Sequence, residues 1–108
     1  MYSIKILNSE AEGYSKEAES ILSSLGHLKQ GNLNRTSLIK IIPEYDVLIV
    51  RLGNHIDKEI IDAGVNLKAI ATATTGLNHI DVTYASEKNI NVISLKGEYE
   101  FLKNISAT

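Results

Sequence analysis

Hydrophobic and polar positions along this chain fall into short runs of two kinds. Ser3 to Leu7 (SIKIL) alternates apolar and polar residues, as a strand does, and breaks at Asn8-Ser9-Glu10. Tyr14, Ala18, Ile21, Leu22 and Leu25 follow at steps of four, three, one and three. That spacing is one face of a helix, with Gly26 in the position of a C-terminal cap. His27 to Leu33 reads as a second strand, weakened by Gly31 and its polar residues. Thr36 predicts the cap of a helix carrying Leu38, Ile39, Ile41 and Ile42, which Pro43 keeps short or distorts. Asp46-Val47-Leu48-Ile49-Val50 is the clearest strand, and its unbroken apolar run suits a sheet covered on both faces. Asp57 caps a helix with Ile60, Ile61 and Ala63, closed by Gly64. Leu67 to Ala71 is a fourth strand. Asp81 opens a helix with Val82, Tyr84 and Ala85 that ends near Asn89, and Ile90 to Leu95 is a fifth strand. Glu98 to Thr108 puts Phe101, Leu102 and Ile105 on one helical face.

Strands alternating with helices predict an α/β fold with a parallel sheet and right-handed crossovers. The expected architecture is a flavodoxin-like three-layer sandwich, five strands in the order 2-1-3-4-5. The chain carries no internal repeat, low-complexity tract or linker.

Composition narrows the function more than the fold. At 108 residues with 44% apolar content, the chain suits one domain with one core. Its formal charge is -2, and Lys and Arg form no run interleaved with aromatics, which argues against nucleic acid and anionic membrane as partners. There is no cysteine, so disulfides and thiolate metal sites are excluded. The N-terminus lacks a signal-peptide layout, and no apolar run approaches the roughly 20 residues of a membrane helix. The expectation is a soluble, cytoplasmic protein.

In open parallel sheets ligands bind beyond the carboxyl ends of the strands. Four such ends are legible: Asn8-Ser9-Glu10, Arg51-Leu52-Gly53-Asn54, Thr74-Thr75-Gly76-Leu77-Asn78 and Lys96-Gly97-Glu98. A glycine just after a strand lets a ligand approach the peptide N–H groups, and successive N–H groups form a concavity suited to a small carboxylate. Plainer readings stand beside this one. Gly76 could be only a tight turn, Thr74 and Thr75 could satisfy backbone groups, and Asp81 reads as a helix cap. His79 is expected to point into solvent from its turn. Arg51 suits an anion or a surface ion pair. His27, His55 and His79 have no metal-ligand spacing, and no GxGxxG, GxxxxGK[ST] or GxSxG motif is present.

The stretch from Asp46 to Gly97 resembles the N-terminal part of the D-isomer-specific 2-hydroxyacid dehydrogenases, the phosphoglycerate dehydrogenase-like group. The match rests on Leu67-Lys68-Ala69-Ile70, then Gly76-Leu77-Asn78-His79-Ile80-Asp81, then Asn89-Ile90-Asn91-Val92. Asn78 stands where the family usually has Asp, and Asn89 where it usually has Gly. Both substitutes tolerate turn conformations. The resemblance implies that residues 1–97 belong to a substrate-binding domain. Residues 98–108, longer than the family's usual link, would start a connecting helix toward a dinucleotide-binding domain outside these residues. It implies that backbone N–H groups near Thr75 and Gly76 hold a substrate carboxylate, with Leu52 and Gly53 lining the same cleft. It implies NAD as cofactor, bound by the other domain, a 2-hydroxy or 2-keto acid as substrate, and a homodimer at full length. No residue here matches the family's catalytic Arg, acidic and His motifs, so these residues alone are expected to be inactive.

Two other readings share the architecture. A receiver-like signalling domain would use Lys96 and Thr74 or Thr75, but needs an Asp after the third strand, where Arg51 stands, and an acidic pair after the first, where only Glu10 is acidic. A small α/β binding module is the other, because fold does not determine function.

Overall fold

The structure is a computed structural model. It describes residues 4–11, 16–74 and 76–94, with the side chain of Ala18 also outside the description. Thr75, Tyr14, Leu95 and the whole segment 95–108 therefore lie outside the described residues, and with them the expected connecting helix and the fourth strand end at Lys96.

Five strands form one sheet: β1 (Lys5–Asn8), β2 (His27–Gln30), β3 (Val47–Val50), β4 (Ala69–Thr72) and β5 (Asn91–Ser94). Their order is β2-β1-β3-β4-β5, as the sequence predicts, and every pair is parallel. The helices are α1 (Lys16–Leu25), α2 (Arg35–Ile41), α3 (Lys58–Ala63) and α4 (Val82–Glu87).

Alternation along each strand divides the core in two. Leu7, Leu48, Val50 and Ile70 face one way and pack with Leu38 of α2, Ile60 and Ile61 of α3, and Ala85 of α4. Ile6, Ile49 and Ala71 face the other way, with Leu22 of α1 against them. Strand β3 contributes to both clusters, which is why its sequence is continuously apolar. Some apolar positions assigned to helix faces are not buried. Leu25 is 61% exposed and Val82 is 38% exposed, so the helical spacing at the ends of α1 and α4 overstates their contact with the sheet.

Three caps set the helix starts. Asp57 accepts from Ile60 N–H and Asp81 from Tyr84 N–H, both as expected. The cap of α2 is Asn34, not Thr36: Asn34 Oδ1 accepts from Ser37 N–H at 2.9 Å. Thr36 sits inside the first turn instead, because the bond must reach the amide three residues on. Pro43 does shorten α2, which tightens into a 3-10 turn over Ile42–Glu44. Asn89 holds a left-handed backbone, φ 62°, at the end of α4. Asparagine is among the few non-glycine residues that accept that conformation, so the turn survives the substitution.

The strands run further toward their carboxyl ends than the apolar runs suggest. Asn8 pairs with Gln30 and Ile49, and Thr72 with Val50 and Ser94. Asn8, Ser9 and Thr72 are fully buried polar residues at that end of the sheet. Burial of such groups is tolerated where hydrogen bonds replace water. Ser9 donates its backbone N–H and its hydroxyl to the Ile49 carbonyl, each at 3.1 Å.

Candidate functional site

A cleft of about 610 Å³ crosses the carboxyl ends of β1 to β4, lined by Ser9, Glu10, Asn32, Arg51, Leu52, Gly53 and Thr74 among others. It lies where ligands bind in folds of this kind and has the size of a small-molecule site. Three of the four strand ends picked out by sequence meet around it.

The turn after β3 is held from four directions. Glu10 reaches across from the end of β1: its Oε2 accepts from Arg51 N–H at 2.9 Å and its Oε1 from Gly53 N–H at 2.6 Å. Asn54 Nδ2 donates to the Leu33 carbonyl, and Arg35 donates to the His55 carbonyl. Arg35 also pairs with Asp57 at 2.7 Å and with Glu59 at 2.6 Å. The hydrogen bond from Arg35 is the main reason the Asp57 carboxyl titrates below its ordinary range. Finally, Ile56 N–H donates to His79 C=O and Ile56 C=O accepts from Asp81 N–H, at 2.8 and 2.9 Å. This single parallel bridge extends the β3–β4 pairing beyond the strands and ties the two turns together.

The turn after β4 is braced by side chains of its own. Thr74 Oγ1 donates to the Gly76 carbonyl at 2.8 Å. Thr72 Oγ1 lies 2.8 Å from Thr74 Oγ1 and 2.9 Å from His79 Nε2. A hydroxyl has one proton to give. Thr74 spends its proton on Gly76, so Thr72 must donate to Thr74, and Thr72 must then accept from His79. The neutral imidazole is thereby held in its Nε2–H form. Ser94, at the end of β5, adds a bond from its hydroxyl to the Thr74 carbonyl at 2.6 Å.

His79 is thus not the solvent-facing turn residue expected. It is partly buried against Thr72, and burial is the largest cause of its pKa falling below the ordinary imidazole value. The charge of Glu10 opposes that shift and His55 adds to it, each less strongly.

Gly53 and Gly76 are bare for different reasons. A Cβ on Gly53 would stand 2.6 Å from Glu10 Oε1. A Cβ on Gly76 would meet nothing within 4 Å among the described residues, and Gly76 does not take a left-handed φ. Leu52 is 70% exposed at the cleft mouth. Thr75 lies outside the described residues. Thr72 and Ser94 are the residues that sequence reasoning passed over, and Glu10, already placed at the first strand end, was given no part in the turn after β3. A period-two spacing of Thr72 and Thr74 was the available signal for one of them. Nothing local marked the partner of Ser94 or the partners of Glu10, which lie 20 and 41 to 43 residues away respectively.

Among the described residues, no group of three His, Cys, Asp or Glu side chains converges as a metal site, and no helix is long and apolar enough to cross a membrane. Among the described residues, the turn after β1 offers the Glu10 carboxylate, a charge of the wrong sign for a pyrophosphate.

A doubly wound sheet with a cleft at its carboxyl edge defines an α/β ligand-binding unit. A model of the D-isomer specific 2-hydroxyacid dehydrogenase catalytic domain matches residues 6–99, and the chain belongs to that family of oxidoreductases. It is 45% identical over 84 residues to a hydroxypyruvate reductase of Thermotoga maritima, a match covering 76% of this chain and 28% of that protein. Solved structures agree. NAD⁺-bound 3-phosphoglycerate dehydrogenase of Entamoeba histolytica superposes with a TM-score of 0.72 at 29% identity, covering 86% of this chain and 33% of the other. An NAD-dependent formate dehydrogenase of Staphylococcus aureus in complex with NAD gives 0.68 at 30%, covering 85% and 32%. The chain thus spans about a third or less of the length of these relatives.

Proposed function

We propose that these residues form the substrate-binding part of an enzyme that exchanges a hydride between NAD(H) and a 2-hydroxy or 2-keto acid. In this reading the N–H groups around Thr75 and Gly76 receive the substrate carboxylate, and Leu52 and Gly53 line the cleft beside it. The observation that carries it is Gly76. Neither a left-handed backbone nor crowding by described residues requires a glycine there, while Thr74, Thr72 and His79 brace the turn from within. A bare, braced turn at the carboxyl edge suits close approach by a small anion.

The chemistry of hydride transfer belongs to the nicotinamide, which a second domain outside these residues would bind. What this chain supplies is orientation. Peptide N–H groups prepaid in position hold a carboxylate without reorganising, which limits the freedom of the acid's adjacent carbon. No residue here is assigned as acid, base or hydride partner. Full-length dimerisation and the 1–97 and 98–108 division belong to the same proposal.

The test is a ¹H–¹⁵N titration of the chain with glyoxylate, with sodium chloride at matched ionic strength as control. A saturable shift of the Gly76 amide supports the reading. No shift there beyond the chloride control overturns it. Incubation with NADH and hydroxypyruvate is expected to give no turnover, and turnover by these residues alone would refute the division of labour.

A further inference from the structure

The amides of Arg51 and Gly53 point at one carboxylate, and that carboxylate belongs to the chain itself. Three features place it there. Glu10 accepts both N–H bonds, one on each oxygen, at 2.9 and 2.6 Å. Its backbone is fixed by an antiparallel bridge to Asn32 and by its own N–H donating to Asn8 Oδ1 at 3.3 Å. And position 53 is glycine, where any Cβ would meet the carboxylate oxygen at 2.6 Å. Bonds from N–H groups to an ionised carboxylate are the stronger kind of protein hydrogen bond.

We propose that the turn after β3 is an anion subsite in its own right and that Glu10 is its tethered occupant, keeping the carboxylates of free acids out of it. A ligand on so short a stem presents itself at an effective concentration on the order of millimolar or more, so a free acid below that level does not displace it. A second anion approaching the same amides also meets the charge of Glu10 at close range. The influence of that charge extends to the neighbouring turn, where it acts on His79. Combined with the proposed role of Gly76, on which this consequence rests, the turn after β3 is closed to carboxylates and the turn after β4 is open. Glu10 thereby selects acids whose only anionic group is the carboxylate, and disfavours those with a second anion directed toward β1 and β3.

The test is an acetate titration of the 108-residue chain followed by ¹H–¹⁵N NMR, with chloride at equal ionic strength as control. In the unsubstituted chain the Arg51 and Gly53 amides should stay still. In Glu10→Ala both should shift saturably with acetate. Glu10→Gln, which keeps the stem and loses the charge, should respond in the same direction, and it carries the test if Glu10→Ala does not give a dispersed spectrum. A folded variant in which both amides ignore acetate overturns the subsite. An unsubstituted chain that responds as strongly as the variant overturns the tether. Gly76, read in the same spectra, keeps the two proposals apart. A response at Gly76 with silence at Arg51 and Gly53 in Glu10→Ala sinks this proposal and leaves the carboxylate reading of Gly76 standing.

Discussion

The turns after β3 and β4 start from the same ingredients, a buried strand, a glycine and the cap of the next helix, yet they are finished differently. At Gly53 the space over the amides is filled by a carboxylate brought from β1. At Gly76 the support comes from beneath, through Thr74, Thr72 and His79, and the space a side chain would fill is empty among the described residues. Two glycines after two parallel strands are not equivalent sites. What distinguishes them is whether a distant carboxylate covers the turn or nearby side chains brace it from within.

The contrast can be broken most severely where the turns are joined. Ile56 is fully buried and carries both backbone bonds between them, so Ile56→Ala leaves a cavity at the junction and should cost about 2–5 kcal/mol in urea unfolding. Both sets of amide resonances should move together. Movement of only one would show that the turns are independent.

Next in size is Thr72→Val, which keeps the shape and removes the hydroxyl that His79 and Thr74 share. It should cost about 1–3 kcal/mol, because a partly buried imidazole N–H loses its acceptor. The Gly76 region should lose order while Arg51 and Gly53 stay unchanged. NMR of the imidazole nitrogens should find Nε2 protonated in the parent chain, and an Nδ1–H form would contradict the proton order deduced for the Thr72–Thr74 pair.

Acidification gives a milder effect. Burial holds the His79 pKa below its ordinary value of 6.5, so above roughly neutral pH both states are neutral and the group costs nothing. As pH falls, the unfolded chain takes up the proton first, and stability is lost through 6.5 toward the lowered folded pKa. His79→Gln should flatten the dependence of the urea midpoint on pH in that window. An unchanged slope would place its origin elsewhere.

The smallest effect separates the glycines themselves. Gly76→Ala meets no atom of the described residues within 4 Å and should alter stability by less than about 0.5 kcal/mol. Gly53→Ala should push Glu10 aside, seen as a change in the Arg51 amide resonance with the sheet otherwise intact. If the two variants behave alike, the proposed difference between the turns is lost.

Much of the architecture was legible because its signals are local. Continuous apolar residues at Val47–Val50 mark a strand covered on both faces, and Asp57 and Asp81 stand three residues ahead of the amides they cap. The family was legible for the same reason, since Gly76 to Asp81 is one uninterrupted stretch. Where local signals compete, sequence alone chose less well. Asn34 and Thr36 are both acceptable caps, and only the path of the chain into α2 decides between them. Asn8 and Thr72 read as strand ends or loops by polarity, but ladder bonds to neighbouring strands draw them into the sheet.

The chain by itself determined the alternation of strands and helices, the caps at Asp57 and Asp81 and the identity of the two glycine turns, because each depends on residues a few positions apart. Tertiary structure alone decided what those turns can bind. The carboxylate over Gly53 comes from 43 residues earlier in the chain, and the bonds that join the turns run from Ile56 to His79 and Asp81. Such contacts are absent from any local pattern. They form only when parallel pairing brings the carboxyl ends of β1, β3 and β4 to one edge, and it is there that one glycine is closed and the other left open.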